Sequence, residues 1–247
     1  MPGPDNSSAA PADGPGLVLF DIDGTLLVAG DADHKAALIG AVADVYGVAI
    51  TFDGFSLGGR LDAEIVRVLA GGAGVGAEVI ERDLPKAMSR MGERFAEVFR
   101  PDGYAARALP GARAAVDAVH RTGRTTGVLT GNARAVATLR LGSAGFAGLL
   151  DVGAFGDRAH RRCDLVAEAC AAATARDGRP HTAARTVLVG DTPRDVEAAH
   201  AAGARVVAVP TGVVGRDQLA AADPDVLLDD LTDAAALVRA VTTLLDG

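Results

Sequence analysis

The chain of 247 residues contains few cysteines, few aromatic residues and no tryptophan. Its two cysteines, Cys163 and Cys170, would lie about 10 Å apart along a single helix, too far for a disulfide. We therefore predict free thiols, which suit a reducing compartment, and a cytoplasmic protein. Aromatic residues make up only 4% of the chain, so we expect aliphatic side chains to pack the core.

The chain also lacks a surplus of basic residues and a long apolar run. Its formal net charge is −8, which argues against a nucleic acid polymer as a partner because phosphate backbones attract basic surfaces. No apolar stretch approaches the roughly 20 residues of a membrane-spanning helix, so we expect no membrane partner. The first 16 residues lack the features of a secretory signal and are predicted to be a flexible tail. We expect a monomer or a homodimer.

Short apolar runs alternate with helix-like stretches over most of the chain. Such runs fit strands that are buried on both faces of a parallel sheet, and the alternation predicts a doubly wound α/β sheet. The predicted strands are 17–20, 126–129, 187–190, 206–209 and 226–228, and the predicted helices are 111–122, 132–144, 162–176, 194–202 and 232–245.

Residues 31–108 interrupt this alternation. They contain helix-like stretches at about 32–46, 61–70 and 77–99, and no clear strand. We predict that they form a helical cap, inserted after the first strand and lying over the strand ends. The predicted organisation is a tail of residues 1–16, an α/β core of residues 17–30 and 109–247, and a cap of residues 31–108.

Three of the predicted strands end in a polar residue with a glycine close by. These residues are Asp21, Thr130 and Asp191. Because ligands bind at the carboxyl ends of the strands in open α/β sheets, we expect the three side chains to converge. Asp23 lies two positions after Asp21, and Gly24 permits the tight turn that lets both carboxylates face a ligand.

Carboxylates dominate this predicted site. Asp191 and Asp195 lie where a strand passes into a helix, with Thr192 placed to cap it and Pro193 in its first turn. Three or four aspartate oxygens without a nearby histidine or cysteine favour a hard cation, Mg²⁺. The hydroxyl of Thr130 and the backbone N–H of Gly131 would donate hydrogen bonds to a phosphoryl group.

Three motifs resemble those of the haloacid dehalogenase-like hydrolase superfamily. They are residues 21–26 (DIDGTL), 129–132 (LTGN) and 190–195 (GDTPRD), which match motifs one, two and four in order and spacing. The resemblance covers residues 17–245 and includes a helical cap after motif one. It implies a Rossmann-like core and a Mg²⁺-dependent phosphatase that acts on small phosphate esters through an aspartyl-phosphate.

The resemblance also implies a role for each matching residue. Asp21 would attack phosphorus, and Asp23 would protonate the leaving oxygen and later activate water. Thr130 would hold the phosphoryl oxygens. The residues expected to contact the substrate are Gly24, Gly131, Asn132 and Arg60, and those expected at the metal are Asp21, Asp23 (through its backbone carbonyl), Asp191 and Asp195, the last orienting the water of the metal or a basic side chain.

Motif three of the superfamily supplies a lysine or sometimes an arginine, and this region of the chain contains no lysine. The candidates are Arg158, Arg161 and Arg162. The segment 155–157 (FGD), followed five residues on by Arg162 and then by an apolar helix, resembles superfamily members with arginine in this role, so we choose Arg162. Arginine can hold a phosphoryl oxygen with two hydrogen bonds. In the cap, the segment 58–62 (GGRLD) resembles one that faces the active site in related phosphatases. Arg60 would then meet an anionic leaving group, or else simply lie at a helix start.

Three functions remain open at this stage. Asp23 argues against dehalogenation, because a halide leaving group needs no proton, and favours a phosphatase of the phosphoglycolate type, with sugar phosphates and nucleotides as other substrates. A phosphomutase of the β-phosphoglucomutase type is the second hypothesis, with His34 and Lys35 as cap residues that meet a sugar phosphate. A catalytically silent binding module on the same fold is the third.

Overall fold

The core of the protein is one sheet of six parallel strands, seen in a computed structural model that describes residues 16–105 and 107–247. The strands are β1 (Leu17–Phe20), β2 (Thr125–Thr130), β3 (Val152–Phe155), β4 (Thr186–Gly190), β5 (Arg205–Ala208) and β6 (Val226–Leu227). Their order across the sheet is β3-β2-β1-β4-β5-β6. The predicted α/β sheet is confirmed, whereas the predicted tail lies outside the described residues except for Gly16.

The segment between β1 and β2 is helical and has an apolar core of its own. Its buried residues include Leu38, Val66 and Phe95, and they pack together rather than with the side chains of the strands. This separate core supports the proposal that residues 31–108 form a cap. The helices are α1 (Ala32–Tyr46), α2 (Asp62–Gly72), α3 (Ala77–Val98) and α4 (Pro101–Ala105).

Helices cover both faces of the sheet. In β1, Val18 and Phe20 pack on one side, and Leu17 and Leu19 pack on the other. Because both faces are buried, the central strands are apolar throughout, as the sequence predicts. One face carries α5 (Ala112–His120), α6 (Arg134–Ser143) and α10 (Ala234–Asp246), and the other carries α7 (Asp164–Asp177), α8 (Pro193–Ala202) and α9 (Arg216–Ala220).

The predicted number of five core strands is wrong, because β3 forms a sixth. This strand lies at the edge of the sheet, is partly exposed and contains a glycine, so it has no long apolar run. The short helices α4 and α9 are also absent from the prediction, since five residues are too few to show a helical period. Within the described ranges, no helix is long and apolar enough to cross a membrane. Both cysteines are free, as predicted.

Candidate active site

The carboxyl ends of the three central strands meet beneath the cap, around a cavity of about 380 Å³. Asp21 follows β1, Asp191 follows β4 and Thr130 ends β2, and all three line the cavity. Their convergence follows from the strand order, because β1 lies between β2 and β4. Of the other predicted site residues, Asp23, Gly131, Asn132, Arg60 and Arg162 also line the cavity, whereas Gly24 and Asp195 lie behind its wall.

Asp21 is almost fully buried at the floor of this cavity. Its backbone N–H donates to the carbonyl of Val189 at 2.9 Å, which fixes the residue at the strand end. Arg162 Nη2 lies 2.8 Å from Asp21 Oδ1. Burial raises the pKa of Asp21 to about 7, because it outweighs the attraction of Arg162 and is reinforced by the charge of Asp195. A group in this setting is typical of a catalytic site.

Arg162 is buried between two carboxylates. Besides Asp21, it contacts Asp195, whose Oδ1 accepts from Nη2 at 2.6 Å and from Nε at 3.1 Å. Burial lowers the pKa of Arg162, but the charges of Asp195 and Asp21 outweigh this effect and raise the pKa above its usual value. The guanidinium is therefore charged. Of the three arginines considered, Arg158 and Arg161 do not line the cavity, and the Arg161 side chain bonds to Cys163 at the surface. This geometry favours Arg162 for the motif-three role.

Asp191 is crowded by other acids. One carboxylate oxygen from each of Asp21, Asp191 and Asp195 lies within 4.8 Å of the others, and all three residues are buried. Burial, together with the charges of Asp195 and Asp21, raises the pKa of Asp191 to about 9. A Cβ atom at Gly24 or at Gly212 would collide with Asp191 Oδ2, so these glycines make room for the carboxylate.

This group of acids fits a divalent cation. Buried carboxylates that repel one another need a compensating charge, and their hard oxygen donors suit Mg²⁺. Asp195 is already occupied, because Oδ1 contacts Arg162 and Oδ2 accepts from Thr192 N at 3.0 Å and from Thr192 Oγ1 at 2.7 Å. Asp21 and Asp191 are therefore the carboxylates best placed to hold a metal, while Asp195 orients the arginine.

Asp23 lies at the wall of the cavity, and Arg140 and Asn132 hold its carboxylate with hydrogen bonds. Arg140 Nη2 donates to Oδ1 at 2.6 Å, Arg140 Nη1 donates to Oδ2 at 3.0 Å, and Asn132 Nδ2 donates to Oδ2 at 2.9 Å. Although burial raises the pKa of Asp23, the charge and hydrogen bonds of Arg140 hold it at about 2. The Asn132 amide thus contacts Asp23 through its nitrogen, and Asn132 Oδ1 accepts a hydrogen bond from Arg140 Nη1 at 2.5 Å.

The sequence prediction missed Arg140. The residue follows Val136 by four positions and Ala137 by three, and both are fully buried. The only local sign of its role in the sequence is a charged residue at a position that faces the same way as buried apolar residues of a helix.

The cap contributes polar groups to the opposite wall. Asp62, at the start of α2, donates its backbone N–H to Gly131 O at 2.7 Å, and its Oδ2 lies 2.9 Å from His34 Nε2. Arg60 forms an ion pair with Glu64, donates to Ser56 O at 2.8 Å and lies over the ring of Phe55. Its charge is therefore partly satisfied within the cap.

Lys35 also lines the cavity. Its side chain is exposed, and no carboxylate in the described part of the chain forms a salt bridge with it. The cap wall thus carries both signs of charge, with Lys35, His34 and Arg60 lining the cavity beside Asp31 and Asp62.

Comparison with known proteins places these features in a family. Residues 157–234 match the model of the HAD-hydrolase-like family. Over 229 residues, the chain is 31% identical to the plasmid phosphoglycolate phosphatase of Cupriavidus necator, covering 90% of this chain and 92% of that protein.

Solved structures share the fold along nearly the whole chain. The β-phosphoglucomutase of Clostridium difficile superposes with a TM-score of 0.67 at 14% identity, covering 94% of this chain and 99% of that one. A predicted phosphoglycolate phosphatase from Haemophilus somnus superposes with a TM-score of 0.60 at 20% identity, covering 90% and 97%. At these identities the likeness concerns the fold alone.

Proposed function

Because the chain belongs to the haloacid dehalogenase-like hydrolase family and is a phosphatase, we propose that it hydrolyses small phosphate monoesters with an anionic leaving group, phosphoglycolate first among them. The observation that carries this proposal is the position of Asp21. It lies at the floor of the cavity, in contact with Arg162 and close to the carboxylate of Asp191, beneath a cap wall that includes Lys35.

Each residue on the floor has a task in this reaction. A carboxylate oxygen of Asp21 attacks phosphorus, so that an Asp21–phosphorus bond forms and the bond to the ester oxygen breaks. Asp23 is ionised in the free protein, and the negative charge of the bound ester favours its protonation. Asp23 then gives this proton to the departing oxygen, and in the second half it takes a proton from the water that releases phosphate. Arg162 and the Thr130 hydroxyl hold the phosphoryl oxygens. Mg²⁺, held by Asp21, Asp191 and the Asp23 carbonyl, would supply positive charge to those oxygens.

The substrate class is inferred from the cap. The leaving group of phosphoglycolate carries a carboxylate, which would find Lys35 at the mouth of the cavity. Arg60 is a weaker candidate for this contact because Glu64 and Ser56 already engage its guanidinium. The name of the Cupriavidus necator relative supports the same substrate.

The direct test is a panel of phosphate monoesters assayed with Mg²⁺, for the wild type and for Asp21→Asn. We expect phosphoglycolate to give the highest kcat/KM, and Asp21→Asn to lose at least about 10³-fold in turnover because the nucleophile is gone. Beryllofluoride, which mimics a phosphoryl group, should bind the wild type and not the variant. Equal turnover by both proteins would reject Asp21 as the nucleophile.

A phosphomutase is the second candidate, because His34 and Lys35 both line the cavity. A mutase would interconvert sugar-phosphate isomers without net release of phosphate. Measuring isomer formation and free phosphate in the same reaction separates the two functions.

A further inference from the structure

Arg140 is the largest side chain in the described part of the protein that is completely buried. It lies on α6 and places its guanidinium behind Asp23 rather than in the cavity, of which it is not a lining residue. A buried cation is costly unless its hydrogen bonds are satisfied, so the arrangement around Arg140 indicates a specific use. Because Arg140 does not reach the cavity, this use is not contact with the substrate.

Two nitrogen atoms of Arg140 hold the two oxygens of Asp23 in a parallel fork, at 2.6 and 3.0 Å. This geometry fixes the plane of the carboxylate as well as its position, which a single hydrogen bond or a lysine does not do. Asn132 completes the fork by bridging Arg140 Nη1 and Asp23 Oδ2. The direction in which Asp23 faces the cavity is therefore set by α6.

The third nitrogen of Arg140 points to the cap. Its Nε lies 3.2 Å from Asp31 Oδ2, close enough for an ion pair but without the alignment of a hydrogen bond. This contact is the weakest that Arg140 makes. It is also the one that joins the core to the place where the chain enters the cap.

Asp31 and Tyr104 stand at the two ends of the cap. Asp31 caps the first cap helix, α1, by accepting from the N–H groups of Asp33 at 3.0 Å and His34 at 3.1 Å. Its Oδ2 accepts from the Tyr104 hydroxyl at 2.6 Å, and Tyr104 belongs to α4, the last cap helix. The chain enters and leaves the cap side by side, since Val28 N donates to Arg107 O at 2.8 Å. We refer to the Asp31–Tyr104 pair as the hinge pair.

We propose that Arg140 is a positioning residue that aims the Asp23 carboxylate at the leaving-group oxygen and links this aim to the hinge pair of the cap. A shift of Asp31 changes the electrostatic pull on Arg140 Nε. Because the guanidinium is rigid and planar, a rotation of Arg140 turns the fork that holds Asp23. The inference rests on the proposed function, because it assigns a role within the same reaction.

The test compares two phosphate esters that differ in their need for a proton. p-Nitrophenyl phosphate has a leaving group that departs as an anion, whereas an alkyl phosphate requires protonation of its leaving oxygen. Acid catalysis contributes about 10²–10⁴-fold. In single turnovers, which report the first half of the reaction, Arg140→Met should therefore release the alcohol of the alkyl ester about 10²-fold more slowly, and p-nitrophenol less than about fivefold more slowly. In an Asp23→Asn background, Arg140→Met should cause little further loss.

The hinge pair gives a second set of variants. Tyr104→Phe and Asp31→Asn should slow the same single-turnover step in the same pattern, with a larger effect on the alkyl ester, although by less than Arg140→Met. Arg121→Met is the matched control, because this arginine is exposed on the surface and, among the described residues, forms an ion pair only with Asp117. If Arg140→Met does not fold, which circular dichroism and thermal melting would reveal, Arg140→Lys and Tyr104→Phe carry the same comparison.

Equal losses on both esters would overturn the proposal and leave Arg140 with a purely structural role. A loss by Arg140→Met that stays undiminished in the Asp23→Asn background would overturn it as well. Failure of the proposed function looks different, since the wild type would then hydrolyse neither ester and would not bind beryllofluoride.

Discussion

The Asp62 carboxylate of the cap accepts a hydrogen bond of 2.7 Å from the backbone N–H of Ala133 in the core. Ala133 occupies the N-cap position of helix α6, and its methyl side chain cannot accept a hydrogen bond there. A residue from α2 thus serves the first turn of a helix in the core, directly after the loop that follows Thr130. This carboxylate joins the cap to the core beside the bond from the Asp62 N–H to Gly131 O.

Removing this carboxylate should weaken the whole protein. Asp62→Ala leaves the Ala133 N–H and His34 without their partner, so we expect a loss of about 1–3 kcal/mol in the free energy of unfolding. Asp62→Asn keeps an acceptor oxygen and should lose less. Urea denaturation measures both, with the exposed Asp53→Ala as the control. Unfolding of Asp62→Ala at the wild-type free energy would contradict the joining role.

The pair of His34 and Asp62 should make stability depend on pH. Burial lowers the pKa of His34, but the Asp62 carboxylate raises it above its usual value, with Arg140 opposing and Asp23 assisting. The charged pair therefore stabilises the fold fully below about pH 6.5, and this contribution is lost as the pH rises through the higher folded pKa.

Urea denaturation of the wild type and His34→Gln across that range isolates this contribution. We expect the stability advantage of the wild type to shrink as the pH rises above the usual histidine pKa of about 6.5. An advantage that grows with pH would show that the neutral imidazole is the preferred form.

The acids at the floor should destabilise the protein when no metal is bound. Burial and the nearby charges of Asp195 and Asp21 raise the pKa of Asp191 to about 9, so ionising it costs free energy. We expect metal-free Asp191→Asn to melt about 2–6 °C above the metal-free wild type. Mg²⁺ should raise the melting temperature of the wild type and not of the variant. The exposed Asp229→Asn is the control, and a lower melting temperature for Asp191→Asn would contradict the argument.

Lys35 should distinguish charged from uncharged leaving groups. We expect Lys35→Met to raise KM for phosphoglycolate about tenfold, and to change KM for p-nitrophenyl phosphate by less than about twofold. Steady-state kinetics on both substrates measures this split. Lys86 is the other lysine of the chain and lies exposed on α3, so Lys86→Met is the matched control. Equal increases in KM on both esters would rule out a contact with the carboxylate.

The sequence predicts the strands of the sheet centre well, because strands buried on both faces consist of apolar runs. β1 has the predicted bounds, β4 begins one residue before its predicted start, and the positions of Asp21 and Asp191 follow from these strands. β3 could not be predicted in this way, since an edge strand with one partly exposed half and a glycine has no continuous apolar signal.

The partners of the catalytic acids are harder to predict than the acids themselves. Asp23 and Arg140 are 117 positions apart, and nothing local to either residue indicates the other. The same holds for Asp62 and Ala133, which meet only because the cap folds back over the sheet. Such contacts depend on how the helices pack, which the pattern along a single segment does not contain.

The place of β1 at the middle of the sheet has a consequence for synthesis on the ribosome. Leu17 pairs with Thr125 on one side and with Thr186 on the other, so β1 has no neighbour until β2 has been made and lacks the second neighbour until β4 has been made. At about 5–20 residues per second, this wait lasts on the order of ten seconds or more. During that time an apolar strand stays exposed, which favours chaperone binding and makes aggregation a risk. The floor of the cavity around Asp21 is complete only after β4 and Asp191 have been made.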